Sequence, residues 1–276
     1  MKKMIFPVIT ILGALTASYR AEAQHPDSLP VSHDTVQFSY PPQKSGLSAV
    51  SDQRFHTTVA GIAVPVAMIG YGVLALHNPT LRDLNSTTRA ELKEDHPQFH
   101  THIDNYLQYA PVAAVYALNA FGIHGQHNLR DRTIILGISA VLTASSVELV
   151  KRGTHQERPD GSDNLSFPSG HTATAFAAAE FLRQEYKDVS PWYGVGGYLA
   201  ATTTGALRMY NNKHWLSDVV AGAGFGILST KAAYWMYPLI QRKLFKAPAQ
   251  HADKVVMPYY NPEFHSAGLS FIFFPR

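Results

Sequence analysis

Long apolar stretches recur along this chain from residue 56 onward, and they constrain its fold more than any other feature. Val59–Leu76 carries no charged residue. Stretches of this length that are rich in Ala and Gly are typical of tightly packed helices. Further stretches of this kind are Tyr106–Phe121, Thr133–Val150, His171–Leu182, Trp192–Leu207 and Leu216–Ile240. The sequence therefore predicts an all-α fold, a helical bundle of about six core helices.

The composition excludes several classes of protein. Of the 276 residues, 46% are hydrophobic and 16% are charged, so the chain has ample apolar surface to bury and is not intrinsically disordered. The net charge is +3 without a basic run, which argues against a nucleic-acid partner. Because the chain contains no Cys, disulfides, thiol catalysis and Cys-ligated metals are excluded.

The first residues have the pattern of a secretory signal peptide. Lys2 and Lys3 form a positive start, Met4–Ala17 is apolar, and Ala21–Ala23 offers a small-residue cleavage site. Residues 1–23 are therefore predicted to be removed, and the mature protein is expected to be exported to a periplasm. An uncleaved anchor helix is the alternative.

Three further segments follow the predicted signal peptide. Residues 24–55 are polar and rich in Pro and Ser, which indicates an extended arm. Residues 56–246 hold the apolar segments and form the predicted helical domain. Residues 247–276 are predicted to be a C-terminal tail in which Ser266–Phe273 forms a short strand.

The sequence leaves open whether the helices span a membrane. Several apolar segments approach the roughly 20 residues that a bilayer requires. However, Glu180 and Lys231 interrupt two of them, and charges inside a bilayer are costly. With the signal peptide removed, three crossings before residue 151 would leave the polar segments described next on the cytoplasmic side. These points favour a soluble or membrane-peripheral bundle over a membrane-embedded one.

Polar residues gather at the ends of the apolar segments. Lys151, Arg158 and Arg208 are cations beside apolar helices, where an anion would balance their charge. Ser169 and Gly170 directly precede an Ala-rich helix, whose free N–H groups form an anion site, and His171 opens that helix. These residue types suit a phosphate-like oxyanion.

His214 and Asp218 are four residues apart. On a helix they share a face, so the carboxylate can bind one ring nitrogen and leave the other free to attack. Together with His171 and the three cations, they would make a phosphoryl-transfer site that needs neither a metal nor a cofactor.

Three motifs in this order resemble the signature of the type 2 phosphatidic acid phosphatase (PAP2) family, within the PAP2/vanadium haloperoxidase superfamily. The family pattern is K-x6-R-P, then P-S-G-H, then S-R-x5-H-x3-D. The matching residues are Lys151, Arg158, Pro159, Pro168, Ser169, Gly170, His171, Arg208, His214 and Asp218. Two positions depart from it: Leu207 replaces the usual Ser, and Leu216 stands where Pro is common.

The resemblance implies a role for each matching residue. It makes His214 the nucleophile that forms a phosphohistidine, Asp218 the residue that orients His214, and His171 the general acid. The groups that hold the phosphoryl oxygens would be the side chains of Lys151, Arg158, Ser169 and Arg208 and the N–H of Gly170. It also implies an all-α fold of the acid phosphatase/vanadium-dependent haloperoxidase type.

The resulting hypothesis is an exported, metal-independent phosphatase. It would hydrolyse a phosphomonoester or a terminal pyrophosphate, with a lipid such as phosphatidate, lipid A or a polyprenyl pyrophosphate as the favoured substrate. Its partners would be this substrate and a membrane surface or bilayer. The alternatives are an acid phosphatase for soluble phosphomonoesters, a vanadium haloperoxidase, and a non-catalytic binding protein of the same fold.

For several other residues the sequence favours a structural role or leaves the role open. His96, His100 and His102 could hold a metal, but exposed loop positions are favoured. His124 and His127 are expected to be structural or exposed. Asp160 and Asp163 are expected to form turns. The remaining residues with open roles are His155 and Asn164 near the first motif, Tyr210 and Trp215 near the third, and Phe271, Phe273 and Phe274 in the tail.

Overall fold

The computed structural model describes residues 57–244, 254–261 and 266–273. The helices in these ranges are α1 (Val59–Ala75), α2 (Pro79–Asp95), α3 (Ile103–Leu107), α4 (Ala110–Ala120), α5 (Leu129–Thr154), α6 (Gly170–Tyr186), α7 (Pro191–Tyr210) and α8 (Leu216–Leu244). The predicted all-α bundle is confirmed, with α1 and α4 to α8 as the apolar helices. The predicted signal peptide and polar arm lie outside the described residues.

Side-chain caps explain where several helices begin. Thr58 caps α1, Asn128 caps α5 and Ser169 caps α6, each by accepting a hydrogen bond from a free N–H of the first turn. The polar helix α2 was not predicted, because the segment has no apolar stretch. Its local signal is Asn78 at the N-cap followed by Pro79 at the first helical position.

Helix α6 forms the centre of the bundle, with α4, α5, α7 and α8 packed around it. Its buried apolar residues are Ala173, Ala175, Ala177, Ala178, Ala179, Phe181, Leu182 and Tyr186. Because most of these side chains are small, neighbouring helices can approach α6 from several directions. This packing explains the Ala-rich sequence of the segment.

Two glycines let α8 cross α6 in close contact. A Cβ on Gly222 would lie 2.6 Å from the backbone oxygen of Ser169, and one on Gly226 would overlap the backbone oxygen of Ala173. Any larger residue would push the two helices apart. Gly222 therefore also fixes the start of α8 against the first turn of α6, where the second and third motifs meet.

Four motif-bearing helix ends and the end of α1 lie at one end of the bundle. Gly72, near the end of α1, packs against Phe167 and Ala221, whereas Gly61, near its start, lies beside Lys231 in the middle of α8. Tyr234, further along α8, donates a hydrogen bond to Glu185 near the end of α6. Helix α1 therefore runs towards the motif end, while α6 and α8 run away from it.

Glu180 and Lys231, which the sequence presents as interruptions, bind each other inside the bundle. The Lys231 Nζ lies 2.8 Å from Glu180 Oε1. The other donors to this carboxylate are Arg183, Gln184 and Tyr198. We call these five residues the Glu180 network. The two charges therefore neutralise each other inside the bundle, because each has its partner on the facing helix.

Much of the apolar surface of the outer helices is exposed. In the part of the chain that the structure describes, α5 is the one helix that is by itself long and apolar enough to cross a membrane, and most of its apolar stretch is not covered by protein. Helices α1 and α2 meet this test only as a pair, across a bend of 94°. Large exposed apolar side chains include Val59, Val64, Leu74, Val141, Leu149, Trp192 and Leu199.

The tail contains a β-hairpin. Strand β1 (Lys254–Asn261) pairs in antiparallel fashion with β2 (Ser266–Phe273), with Lys254 opposite Phe273 and Asn261 opposite Ser266. The strand predicted over Ser266–Phe273 is present. Its partner β1 was not predicted, because Pro258 interrupts that run.

Candidate active site

The three sequence motifs converge where four helix ends meet. Lys151 lies in the last turn of α5, and His171 in the first turn of α6. Arg208 lies in the last turn of α7, and Asp218 in the first turn of α8. The arrangement follows from the alternating directions of the helices, which bring two C-terminal and two N-terminal ends together.

His214 and Asp218 form a buried pair at the start of α8. The His214 Nδ1 lies 3.5 Å from Asp218 Oδ2, and both side chains are almost fully buried. Burial lowers the pKa of His214 to about 4, although the Asp218 carboxylate opposes this shift. The imidazole is therefore neutral at pH 7, as a nucleophile must be.

Ser166 joins this pair from the loop before α6. Its hydroxyl donates a hydrogen bond to Asp218 Oδ2 at 2.5 Å and lies 3.4 Å from His214 Nδ1. The same carboxylate oxygen accepts the backbone N–H of Trp215 at 2.9 Å. Asp218 Oδ1 is buried and has no hydrogen-bond partner among the described residues. Oδ2 is therefore shared, and Ser166 limits how the carboxylate can turn.

The first turn of α6 is attached directly to α8. The Ser169 N–H donates to the backbone oxygen of Asp218 at 3.0 Å, and its buried hydroxyl caps α6 at Thr172. The N–H groups of this turn carry the positive end of the helix dipole. The predicted anion-binding segment thus lies beside the His214–Asp218 pair.

Lys151 and Arg158 both bind the loop between the first two motifs. The Lys151 Nζ donates to the backbone oxygens of Leu165 and Ser166. Arg158 Nε donates to Asp163 Oδ1 at 2.7 Å. Burial and the nearby Arg158 charge lower the pKa of Lys151 to about 8, so the amine still carries a proton at neutral pH. An anion bound beside these cations would favour the charged amine.

Arg208 is held from one side by a buried carboxylate. Its NH1 donates to Asp104 Oδ2 at 2.6 Å, and Asp104 on α3 is fully buried. The Nε of Arg208 is also buried, but it has no hydrogen-bond partner among the described residues. A buried N–H without a partner is unfavourable, so this donor is available to a bound oxyanion.

His171 faces the same helix α3. Its Nε2 lies 2.9 Å from Asn105 Oδ1. Burial and the Arg208 charge lower the pKa of His171 to about 4, with Arg158 and Lys151 adding to the shift and Asp104 opposing it. The free imidazole is therefore neutral at pH 7. The negative charge of a bound phosphate would raise this pKa.

These mutual effects on pKa place the predicted site residues in one electrostatic environment. The charges of Lys151 and Arg158 act on both His171 and His214. Gly170 lies beside Lys151, and Ser169 is hydrogen-bonded to Asp218, so the eight predicted site residues from all three motifs come together. Leu207, where the family pattern has Ser, is half-buried and has no hydroxyl to offer.

Four residues that contact the motifs were not singled out as site residues from the sequence: Asn85, Asp104, Asn105 and Ser166. Asn85 on α2 accepts the Ser217 N–H at 3.1 Å and donates to its hydroxyl at 2.8 Å, which caps α8 from another helix. Ser166 is close to the second motif in sequence. The other three lie far from the motifs in sequence, and no local pattern distinguishes them.

The histidines outside the motifs lie in two kinds of environment. No group of three or more His, Asp or Glu side chains in the described ranges is arranged to hold a metal, and His96, His100 and His102 are exposed. His127 is structural, since its Nδ1 lies 2.8 Å from the buried Glu185 carboxylate.

The loop carboxylates and aromatic residues also have defined partners. Asp160 and Asp163 do form turns, but each also binds a cation, Lys213 and Arg158 respectively. Trp215 donates its indole N–H to the backbone oxygen of Glu157 and lies under the Arg89 guanidinium.

Comparison with known proteins agrees with the motif analysis. Residues 148–242 match the family model of the PAP2 superfamily. A 145-residue stretch is 42% identical to the lipid A 1-phosphatase of Porphyromonas gingivalis, covering 52% of this chain and 33% of that protein. The chain thus spans about a third of the length of this curated relative.

Two solved structures are similar over part of the chain. Aquifex aeolicus LpxE aligns with a TM-score of 0.40 and 22% identity, over 52% of this chain and 92% of that one. A transmembrane PAP2-type phosphatidylglycerolphosphate phosphatase from Bacillus subtilis aligns with a TM-score of 0.44 and 16% identity, over 67% of this chain and 99% of that one.

Proposed function

We propose that this chain, whose residues 148–242 belong to the PAP2 superfamily, is a metal-independent phosphatase that acts on a phosphorylated lipid. The observation that carries the proposal is the placement of the buried His214–Asp218 pair beside the first turn of α6, among three cations. This arrangement offers a neutral nucleophile and an oxyanion site to the same phosphoryl group.

The proposed reaction proceeds in two steps. His214 Nε2 attacks phosphorus while the bond to the leaving oxygen breaks, and that oxygen takes its proton from His171. A water molecule then attacks the phosphohistidine, gives a proton to His171, and releases phosphate and His214. Asp218 holds the Nδ1 side of His214 throughout, and Ser166 steadies Asp218.

The phosphoryl oxygens are proposed to bind the donors of the site. The Arg208 Nε is buried and has no partner among the described residues. The Lys151 amine, the Arg158 guanidinium, the Ser169 hydroxyl and the N–H of Gly170 would donate beside it, the first two in addition to the hydrogen bonds that they already make. Charge spreads over these oxygens in the transition state, so fixed donors stabilise it more than the ground state.

Two observations favour a lipid over a soluble substrate. The 42% identical relative is named a lipid A 1-phosphatase. In addition, exposed apolar side chains lie along α1, α5 and α7, and large exposed apolar surface marks a membrane or partner interface. We therefore place the protein at a membrane, exported to the periplasm as its N-terminal sequence predicts.

Phosphate release tests this proposal. The purified protein would be assayed in EDTA with a lipid phosphate in detergent and with an aryl phosphate in buffer, beside His214→Ala. We expect hydrolysis that survives EDTA, favours the lipid, and falls by at least about 10³-fold in His214→Ala.

His124→Ala is the matched control, because His124 is an exposed loop residue away from the site. It should retain wild-type activity. Hydrolysis that persists in folded His214→Ala would overturn the assignment of the nucleophile. A preference for the aryl phosphate would favour a soluble substrate, and halide oxidation dependent on vanadate would replace the phosphatase by a haloperoxidase.

A further inference from the structure

The short helix α3 lies outside the three motifs, yet two consecutive residues of it bind two of the predicted site residues. Asp104 binds Arg208, and Asn105 binds His171. Asp104 is fully buried, which fixes the position of α3 against the end of α7. Asn211 strengthens this attachment, since its side-chain amide bonds both the N–H and the carbonyl oxygen of Thr101. These contacts fix α3, and therefore Asn105, in position next to His171.

We infer that Asn105 is a positioning residue for the general acid: it holds the Nε2–H of His171, so that Nδ1 is the nitrogen that exchanges a proton with the leaving oxygen. This inference rests on the proposed function. The contact is direct, with 2.9 Å between His171 Nε2 and Asn105 Oδ1. An amide oxygen only accepts hydrogen bonds, so the ring nitrogen facing it must carry the hydrogen.

The position of His171 on α6 supports this division of roles between the two ring nitrogens. His171 lies in the first turn of α6, whose free N–H groups form the proposed phosphate site. Nδ1 is the ring nitrogen closer to the backbone, and therefore closer to that turn. With Nε2 occupied by Asn105, Nδ1 is the ring nitrogen that is left to exchange a proton.

The proton balance of the step is simple. His171 must be an imidazolium when the P–O bond breaks. The Nε2–H stays hydrogen-bonded to Asn105, while the Nδ1 proton moves to the leaving oxygen as that oxygen takes the bonding electron pair. His171 is then neutral and can accept a proton at Nδ1 from the attacking water. Asn105 thus keeps the same hydrogen bond through both steps.

Other charged groups also act on His171, and they define what Asn105 adds. Arg208, Arg158 and Lys151 disfavour the imidazolium, and Asp104 favours it. Asn105 is neutral, so it orients the ring without contributing a charge. Replacing it by Asp would add a carboxylate next to Nε2–H and favour the imidazolium.

Dependence on the leaving group distinguishes this role from a general structural one. A nitrophenolate leaves as a stable anion and needs little help from an acid, whereas an alkoxide must be protonated. We would measure kcat for p-nitrophenyl phosphate and for an alkyl phosphate with the same preparation of Asn105→Leu. We expect the aryl-to-alkyl ratio of kcat to rise about 10-fold, as a general acid contributes about 10²–10⁴ and its positioning a part of that.

The ratio does not depend on the fraction of folded protein, so partial misfolding of Asn105→Leu would not produce it. Asn119→Leu is the matched control, because it makes the same change on α4 away from the site. It should leave the ratio at the wild-type value. An unchanged ratio in Asn105→Leu would overturn the inference and leave the proposed function intact, whereas failure of the wild type to hydrolyse these two phosphates and the lipid phosphate would overturn both.

Asn105→Asp provides a second, independent measurement. With the pKa of His171 at about 4 in the free enzyme, kcat/KM for the alkyl phosphate should fall as the pH rises above that value. The added carboxylate should move this descending limb to higher pH by about 1 unit or more. A profile identical to that of the wild type would contradict the inference.

Discussion

The candidate active site and the Glu180 network both place charges among apolar helices, but they differ in how completely those charges are bound. In the Glu180 network, each carboxylate oxygen accepts at least two hydrogen bonds, and its members leave no buried polar side-chain atom unpaired within the described ranges. In the candidate site, Arg208 Nε and Asp218 Oδ1 are buried without partners in that same part of the chain.

This difference separates two uses of buried charge. A saturated network holds helices together, and its buried polar atoms need no ligand to complete their hydrogen bonds. The hydrogen bonds and charges of Arg183 and Lys231 outweigh burial and lower the pKa of Glu180 to about 2, so it remains ionised at any physiological pH. A site with an unpaired buried donor is less stable than it could be, and a bound anion would accept the missing hydrogen bond from the Arg208 Nε.

The largest expected effect is on stability, from Glu180→Gln. This change leaves Arg183 and the buried Lys231 without their counter-ion, which should lower the free energy of unfolding by about 3–5 kcal/mol. Phosphate release per folded molecule should remain near the wild-type value. Denaturant unfolding and the hydrolysis assay together measure both effects.

Glu148→Gln is the control for that change. Glu148 pairs with Arg152 on the exposed face of α5, so its loss should lower the free energy of unfolding by less than about 1 kcal/mol. If Glu180→Gln instead abolished hydrolysis without changing stability, the Glu180 network would belong to the active site and the comparison would fail.

An intermediate effect is expected from changing Arg to Lys in each region. Arg208→Lys keeps a charge that can still pair with Asp104 but removes the free Nε donor, so kcat/KM should fall by about 10²-fold. Arg183→Lys loses the two-pronged hydrogen bond to Glu180 and should reduce stability while preserving kcat/KM. Equal losses of activity in the two variants would remove the distinction.

The smallest effect should come from buried serines. Ser166→Ala frees the Asp218 carboxylate to turn, and we expect kcat to fall about 10-fold because the hydrogen bond that orients it is lost. Ser139→Ala removes a buried hydrogen bond to Thr230 far from the motifs and should affect unfolding alone. Wild-type kcat in Ser166→Ala would show that His214 and Asp218 do not need this support.

The fold was predictable because each apolar helix corresponds to a continuous apolar stretch of the sequence. Apolar stretches predicted all six apolar helices, and α2 could have been found from Asn78 and Pro79. The pairing of Glu180 with Lys231 was not predictable, because helix directions and facing positions are set by tertiary packing. For the same reason, the sequence alone presents these two charges as interruptions that disfavour a membrane span.

The candidate site was predictable where it lies within motifs. Residues from Lys151 to Asp218 meet because each motif lies at a helix end. Asp104 and Asn105 could not be found in this way: their contacts to Arg208 and His171 join positions about a hundred and about seventy residues apart, and no periodicity connects them. The assigned roles of all these residues remain proposals.

The opposite directions of α1 and α8 have a practical consequence. Helix α1 starts away from the motif end and runs towards it, and α8 starts there and runs away. The first residue of α1 and the last residue of α8 therefore lie on the side opposite the candidate site. A fluorescent reporter or a surface linkage attached at Thr57, directly before α1, would therefore lie away from the candidate site.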